Sequence, residues 1–345
     1  RLNRLDIALD LEMKEKLVAR LAACGQEHVL DFWETLSADD RQSLAAEIRA
    51  IDFALVSQLS HQTDSRESMR VLAARAASPP ACRLGDERNP IPPAAARQKG
   101  VEALRAGHVG VMLVAGGQGT RLRFDHPKGM FPIGPVSGKS LFQIHCEKVL
   151  AASRRYGVRI PLYLMTSPET HDETVAYLAE QQRFGLSAED LLIFCQGTMP
   201  AVDARTGKIL LADRHHIALS PDGHGGMLAA FQRSGAMADA RRRGIRHLFY
   251  FQIDNPLVHV CDPEFLGYHL ASGSEFTSQV VRKQQPLEKV GNVVEVDGRL
   301  QVIEYSDLPD DVAARRNEDG SLAIWAGSIA VHGMALSFLE RMVES

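Results

Sequence analysis

Beyond residue 100, short apolar runs alternate with longer segments in which apolar residues recur at helical spacing. The apolar runs, which predict strands, span residues 109–114, 162–165, 191–194 and 247–253. The segments with helical spacing, which predict helices, span residues 141–156, 169–183, 226–243 and 263–272. Alternation of this kind predicts an α/β fold with a mostly parallel sheet and helices on both faces.

Two further runs with strand character, residues 293–296 and 300–305, flank the dipeptide Asp297-Gly298. Asp-Gly is typical of a tight two-residue turn between paired strands. We therefore expect an antiparallel hairpin late in the chain.

The first hundred residues have a different pattern. Up to about residue 60, apolar residues recur at helical spacing, Ser37 is expected to begin a helix, and Trp33 and Phe53 are interpreted as core residues. Residues 77–96 are rich in proline and alanine, which predicts a linker or extended crossover. We expect an N-terminal helical region with a proline-rich linker at residues 1–100, and a second domain at residues 101–345.

A glycine-rich, cationic loop follows the predicted strand at residues 109–114. Its small residues are Ala115, Gly116, Gly117 and Gly119, with Thr120 after them. Glycine lets backbone N–H groups turn toward an anion and lets a phosphate approach closely. Arg121 and Lys128 add one planar and one compact positive charge. Residues 115–128 are therefore predicted to form a phosphate cradle; the alternative is a tight turn with solvated charges.

Two better-known glycine loops do not fit this sequence. Leu122 stands where a dinucleotide-binding fingerprint has its third glycine. Residues 137–140, Ser-Gly-Lys-Ser, imitate the end of a Walker loop, but Ile133 stands where that loop begins with glycine. We interpret this second segment as a turn followed by a helix, with Ser140 near the helix start.

Composition narrows the class of protein. The net charge of −4 over 345 residues predicts no nucleic-acid partner. The five cysteines form no CxxC pair, which argues against a zinc site or a disulfide framework and favours a cytoplasmic location. No apolar run has the length that a membrane span needs, so no membrane partner is expected.

Several motifs occur in a fixed order along the chain. They are GGQGTRL, PKGM and SGKSLFQ within residues 116–143, FCQGTMPAV at 194–202, LSPDGHGG at 219–226, QIDNPLV at 252–258, VIEYSDL at 302–308 and WAGSIAVH at 325–332. In this order they resemble the motifs of the eukaryotic-type UDP-N-acetylhexosamine pyrophosphorylases and their UDP-sugar pyrophosphorylase relatives. A weaker similarity, through GQEHVLDFWETLS, reaches into the first hundred residues. The resemblance implies a Rossmann-like, GT-A-like nucleotidyltransferase fold, with residues 101–345 as the catalytic domain.

The activity that the resemblance implies is uridylyl transfer from UTP to a sugar 1-phosphate. Both reactants are anions, so catalysis needs charge neutralisation and alignment rather than a general base. Arg121 is assigned to the β- and γ-phosphates and Lys128 to the α-phosphate, with the small residues of the phosphate cradle around the nucleotide. Asp254, which ends the strand at 247–253, is assigned to Mg²⁺; the alternative is a helix cap or an Asx turn before Pro256.

The resemblance also implies a base site and a sugar site. Gln196 and Gly223 are assigned to uracil, because an amide pairs with the imide of the base and a glycine allows close approach. Without the resemblance, Gln196 is interpreted as an exposed loop amide. The residues assigned to the sugar are His224, Gly291, Glu304 and Ser328. Glu304 is expected on a strand, where it either accepts from sugar hydroxyls or faces solvent.

The chain departs from the N-acetylhexosamine pattern at informative positions. His224 and Ser328 stand where the family usually has asparagines that face the sugar, which puts specificity for an acetamido group in doubt. Histidine at the first of these positions is what glucose-type enzymes carry. Arg123 replaces a glycine, and the last phosphate-binding lysine of the family is expected downstream of Ser345, so the catalytic domain is expected to lack its C-terminal end.

Three classes of function remain open at this point. The first is a Mg²⁺-dependent uridylyltransferase that acts on glucose, galactose or N-acetylglucosamine 1-phosphate. The second is a non-catalytic sugar-nucleotide-binding or regulatory protein with the same fold. The third, a cytidylyl- or other nucleotidyltransferase, needs a base contact different from Gln196. The oligomeric state is left open.

Overall fold

The structure, a computed structural model, describes residues 4–61 and 65–344. Its helices are α1 (Arg4–Ala22), α2 (Ala38–Ala50), α3 (Phe53–His61), α4 (Ser65–Ala74), α5 (Pro93–Arg105), α6 (Leu141–Tyr156), α7 (His171–Glu180), α8 (Gly223–Arg233), α9 (Ala236–Arg242), α10 (Pro263–Ala271), α11 (Asp310–Ala313) and α12 (Leu336–Glu344). Its strands are β1 (Val109–Val114), β2 (Leu162–Thr166), β3 (Leu191–Cys195), β4 (Thr198–Pro200), β5 (Leu219–Pro221), β6 (His247–Gln252), β7 (Phe276–Arg282), β8 (Asn292–Val296), β9 (Arg299–Ile303) and β10 (Ala326–Ala335).

The chain divides into two compact units. One unit combines the residues up to 67 with residues 198–222, and the other combines residues 68–197 with the residues from 223 onward. The association of residues 198–222 with the N-terminal region was not expected from the sequence. The division of the chain into domains at residue 100 stays a prediction.

The second unit is built on a mixed sheet with strand order β3-β2-β1-β6-β10-β8-β9, and β7 pairs with β10. The four strands β3, β2, β1 and β6 run parallel, in the register Val111 to Leu162 between β1 and β2. β10 runs antiparallel to both β6 and β7. These pairings confirm the expected α/β fold with a mostly parallel core.

Both faces of β1 are buried, since all six of its residues are buried and successive side chains of a strand point to opposite faces. In β1, Val111 and Leu113 pack in one apolar cluster with α5, α6, α7 and α10. Met112 and Val114, between and after them, pack in a second cluster with α8, α9 and α12. Helices therefore cover both faces of the sheet, as the apolar character of the 109–114 run predicts.

The interpretation of residues 77–96 as a linker is wrong at its C-terminal end. Residues from Pro93 onward form α5, and Ala96 is fully buried. Proline suits the first turn of a helix, where its missing N–H has no partner to lose. Gly100 of α5 and Gly267 of α10 make the close packing possible, since a Cβ on either would lie less than 2 Å from a backbone oxygen of the other helix.

Two predicted helices are shorter than expected because the backbone turns left-handed. The segment at 169–183 forms α7, which ends at Glu180, and is followed by Arg183 with φ of 53°. The segment at 226–243 is two helices, α8 and α9, separated at Gly235 with φ of 80°. The hairpin is confirmed as β8 and β9, with both turn residues at positive φ as a tight primed turn requires.

The first unit has its own core. Trp33 and Phe53 are buried there, as expected, together with Ile209 and Ile217 from the 198–222 segment. Ser37 caps α2 by accepting the Asp40 amide at 3.2 Å. The segment is also held by polar contacts of its backbone with side chains of the N-terminal region, namely Gln26 with Gly207 and Ile209, and Glu47 with Ile217.

Candidate functional site

One edge of the sheet collects most residues that the sequence analysis selected. Parallel strands end on the same edge, so the residues after β1, β3 and β6 are neighbours there. These are the phosphate cradle after β1, Gln196 after β3 and Asp254 after β6. Because β10 is antiparallel to β6, its first residues, with Ser328 among them, lie at this edge too.

The phosphate cradle is closed by two backbone hydrogen bonds. The Gly119 amide donates to His126 O at 2.9 Å, and the Lys128 amide donates to Gly117 O at 3.0 Å. A Cβ at Gly119 would lie 2.7 Å from Phe124 O and 3.0 Å from His126 O. Glycine at 119 therefore serves loop closure, which differs from the anion contact that motivated its selection.

Some other backbone amides of the loop, unlike those of Gly119 and Lys128, are not hydrogen-bonded in the described part of the chain. Within the residues that the structure describes, the N–H groups of Gly116, Gly117 and Gln118 have no hydrogen-bond acceptor. Arg121, on a short 3₁₀ turn over Thr120–Leu122, is exposed and makes no ion pair in the same part of the chain. A set of unpaired donors beside a cation is a chemical environment that suits a polyphosphate.

Lys128 and Asp254 are brought together by the fold. Lys128 Nζ lies 3.0 Å from Asp254 Oδ2, with 23% and 49% of the two side chains exposed. The ammonium is also 3.7 Å from the position a Cβ at Gly117 would take. A helix cap or an Asx turn requires a backbone amide that donates to the Asp254 carboxylate. No backbone amide of the described residues does so. The carboxylate thus faces a cation and solvent.

The turn that carries Asp254 is held by two side chains of α6. His145 Nε2 lies 3.0 Å from Ile253 O, and Lys148 Nζ donates to Pro256 O and to Val258 O. Burial lowers the pKa of His145 to about 4 and also lowers the pKa of Lys148. A neutral His145 has one N–H, which donates from Nε2 to Ile253 O, and its Nδ1 is then an acceptor that has no partner within the described residues. Sequence analysis missed both residues, which lie on a helix with ordinary amphipathic spacing.

Gln196 lies against the glycine loop. Its Oε1 is 3.2 Å from the position a Cβ at Gly116 would take, so a larger residue at 116 would press on the amide. The Gln196 backbone amide donates to Thr166 O at 2.8 Å, which extends the β2–β3 pairing by one step. Gly223, the other residue assigned to uracil, is the first residue of α8. The side chain of His224 lies outside the described part of the structure.

Three of the residues assigned to the sugar form one cluster. A Cβ at Gly291 would lie 3.5 Å from Glu304 Oε1 and 3.6 Å from Ser328 Cβ. The Ser328 amide donates to Gly291 O at 2.7 Å. Glu304 is not on a strand as expected: β9 ends at Ile303, and Glu304 is the exposed residue after it. A β-bulge follows Ser328, with Ala330 at φ of 52°, and bulges often redirect side chains beside functional sites.

The backbone at Arg123 explains why the family pattern has a glycine at this position. Its backbone is left-handed, with φ of 54° and ψ of 44°. Glycine adopts this conformation without steric cost, whereas a residue with a Cβ does not. The family glycine at this position thus suits the backbone better than the arginine of this chain.

A mostly parallel sheet with a glycine-rich, cationic loop and a lysine–aspartate pair at its carboxyl edge is the arrangement expected of an α/β nucleotidyltransferase. The chain belongs to the UTP–glucose-1-phosphate uridylyltransferase family, whose family model matches residues 53–345. Both the expected family and the expected fold class are therefore confirmed.

Relatives and solved structures agree with this membership. The chain is 34% identical to UDP-N-acetylglucosamine pyrophosphorylase from Saccharomyces cerevisiae, across 92% of this chain and 69% of that protein. It is 35% identical to human UDP-N-acetylhexosamine pyrophosphorylase-like protein 1, across 94% of this chain and 66% of the relative. The structure of uridine diphosphate N-acetylglucosamine pyrophosphorylase from Trypanosoma brucei in complex with inhibitor matches with a TM-score of 0.80 at 28% identity, covering 96% of this chain and 69% of that one.

More distant structures share the fold. The UDP-glucose pyrophosphorylase from Leishmania major matches with a TM-score of 0.66 at 16% identity, covering 90% of this chain and 66% of that chain. The chain thus spans about two thirds of the length of the proteins named here. Within residues 4–61 and 65–344, no helix is both long and apolar enough to cross a membrane.

Proposed function

We propose that this protein transfers a uridylyl group from UTP to a sugar 1-phosphate and releases pyrophosphate. The observation that carries the proposal is that unpaired loop amides and the Lys128–Asp254 pair lie at one sheet edge, with the exposed Arg121 on the same loop. The Gly291–Glu304–Ser328 cluster, at the start of β10, supplies groups that suit a sugar. Family membership supports the same reaction.

The reaction needs charge control more than proton transfer. An oxygen of the sugar 1-phosphate attacks the α-phosphorus of UTP, the bond to the bridging oxygen breaks, and pyrophosphate leaves with its electron pair. The attacking phosphate is already ionised near neutral pH, so no base has to activate it. Arg121 neutralises the β- and γ-phosphates, and Lys128 neutralises charge near the α-phosphate. Preorganised cations of this kind stabilise charge as it moves in the transition state.

Asp254 fits the proposed Mg²⁺ ion. Mg²⁺ is commonly held by one or two carboxylates together with substrate phosphates and several waters. Asp254 offers one partly exposed carboxylate beside the lysine that is assigned to the α-phosphate. When bound there, Mg²⁺ would neutralise phosphate charge. The role of Asp254 is to hold the ion, and the role of α6 is to hold the turn that presents Asp254.

Gln196 and Gly223 are proposed to recognise uracil. The contact of the Gln196 amide with Gly116 supports this role, because it keeps a hydrogen-bonding edge next to the phosphate loop. A cytoplasmic location, expected from the cysteine pattern, stays a prediction.

The protein is proposed to use glucose or galactose 1-phosphate at least as readily as N-acetylglucosamine 1-phosphate. The proteins from Saccharomyces cerevisiae and Trypanosoma brucei are named as N-acetylglucosamine pyrophosphorylases. In this chain, however, two positions assigned to the sugar, His224 and Ser328, lack the family asparagines. A buried acetamido group without a partner costs roughly 1–3 kcal/mol. Histidine and serine still bind hydroxyls, so a broad preference is expected rather than an absolute one.

The test is pyrophosphate release from UTP with each of the three sugar 1-phosphates. We expect the wild type to use glucose or galactose 1-phosphate at least as well as the N-acetylated substrate. The double variant His224→Asn with Ser328→Asn should shift the kcat/KM ratio toward N-acetylglucosamine 1-phosphate by about tenfold, about 1.4 kcal/mol. Ser272→Asn, at an exposed serine after α10, is the matched control and should leave the ratio unchanged. Wild-type selectivity for the N-acetylated substrate by about tenfold or more would contradict the sugar assignment.

A further inference from the structure

A buried lysine lies directly behind the sugar cluster. Lys283 follows β7 and is only 3% exposed. Its Nζ donates to Asn292 Oδ1 at 2.6 Å and to Pro286 O at 3.0 Å. Its backbone amide donates to Trp325 O at 2.9 Å. Burial of an ammonium group is costly unless its donors are matched, so a lysine here calls for a reason beyond filling space.

Asn292 extends this contact to the two loops that carry sugar-site residues. Asn292 is 1% exposed, and its Nδ2 donates to Val290 O at 3.3 Å and to Ile303 O at 3.2 Å. Val290 immediately precedes Gly291, and Ile303 immediately precedes Glu304. One amide side chain therefore ties the backbones on which two of the three cluster residues sit.

Ser328, the third member of the cluster, is linked to Lys283 through the packing of its neighbour Gly327. A Cβ at Gly327, the residue before Ser328, would lie 3.4 Å from Lys283 Cγ and 3.0 Å from Val290 Cγ2. Gly327 is also the β10 residue that pairs with Asn292 of β8. The Lys283–Asn292 pair thus touches a chain neighbour of each of Gly291, Glu304 and Ser328.

We propose that Lys283 and Asn292 are positioning residues that set the geometry of the sugar 1-phosphate subsite. This inference rests on the proposed function, because it assigns the cluster to the sugar. Their side-chain hydrogen bonds, in the described chain, go to residues 286–303 and none goes to the phosphate cradle. Loss of the pair should therefore affect the sugar and spare UTP. A shift of a binding group by less than 1 Å is enough to impair alignment.

The test separates the two substrates kinetically. Lys283→Met keeps the length and packing of the side chain and removes both donated hydrogen bonds. We expect it to raise KM for the sugar 1-phosphate by about tenfold while KM for UTP changes by less than about twofold. Lys283→Arg, which keeps a buried cation and its donors, should recover part of the loss. Lys139→Met is the matched control, since Lys139 pairs on the surface with Glu147 and should leave both KM values unchanged.

A second variant covers the case in which Lys283→Met does not fold. Asn292→Gln keeps the amide but displaces it by one methylene, and it should give the same split between the two KM values. Equal effects on both substrates, or none in either variant, would overturn the positioning role. A wild type that uses no sugar 1-phosphate would instead contradict the proposed function, and with it the assignment of the subsite.

Discussion

Acidification should destabilise this protein through His145, the residue that holds the backbone just before Asp254. Its ordinary pKa is 6.5, and burial lowers the value in the folded protein to about 4, with Lys148 adding to the decrease and Ile253 O and Asp254 opposing it. Between these two values the unfolded chain binds a proton that the folded chain rejects. Stability is therefore complete above about pH 6.5 and falls as the pH decreases toward 4.

The magnitude follows from the two pKa values. Between about pH 7.5 and about pH 5, the linkage for a shift of this size amounts to about 2 kcal/mol. His145→Gln replaces the imidazole with a neutral amide whose Nε2 can still donate to Ile253 O. Over this pH interval, the free energy of unfolding should fall by about 2 kcal/mol less in the variant than in the wild type, whatever the absolute stability of the variant.

The assay is urea denaturation of wild type and variant at the two pH values. His269 is also buried with a lowered pKa, so the wild type has a further acid-sensitive contribution, and only the difference between the two proteins reports His145. The exposed His259 gives the matched control, and His259→Gln should retain the wild-type pH dependence. Identical pH dependence in wild type and His145→Gln would refute the reasoning.

Two further predictions concern the edge of the sheet. Asp254→Ala should abolish Mg²⁺-dependent turnover and change the free energy of unfolding by less than about 1 kcal/mol, because its ion pair is half exposed; a much lower urea midpoint with turnover retained would make the residue structural. Arg123→Gly should stabilise the protein by up to about 1 kcal/mol in urea denaturation, since glycine relieves the left-handed backbone at some cost in chain entropy. Arg123→Ala keeps the Cβ and should not stabilise; equal stabilities of the two variants would show that the backbone is not strained.

The core of the fold is predictable because its local signals agree. The apolar runs at β1, β2, β3 and β6 are long enough to indicate strands buried on both faces, and their alternation with helices fixes a parallel sheet. The Asp297-Gly298 turn specifies its hairpin for a similar reason, since few dipeptides accept positive φ twice. Helix α5 was missed because prolines dominate its approach, and its burial depends on α10, which is far away in sequence.

The candidate site could be predicted from residues whose types indicate their chemistry. The residues that hold the site in place could not be predicted. Glycines, Arg121 and Asp254 stand out in the sequence because they form a glycine-rich cationic loop and a carboxylate that follow apolar, strand-like runs. His145 does not stand out, because its role depends on a carbonyl group about a hundred residues away. Lys283 does not stand out, because its role depends on a loop whose conformation is set by tertiary contacts. A left-handed backbone at Arg123 is equally invisible when the residue in place is not glycine.

The central claim is that the phosphate cradle binds UTP for uridylyl transfer, and pyrophosphate release in Arg121 and Lys128 variants tests it most directly. Arg121→Ala and Lys128→Ala should each lower kcat/KM by on the order of a hundredfold, with unfolding free energies close to wild type, because one preorganised cation is lost from an open loop. Arg154→Ala, at an exposed arginine of α6 outside the cradle, is the matched control and should retain wild-type turnover. Near-normal kinetics in both the Arg121 and the Lys128 variants would contradict the account.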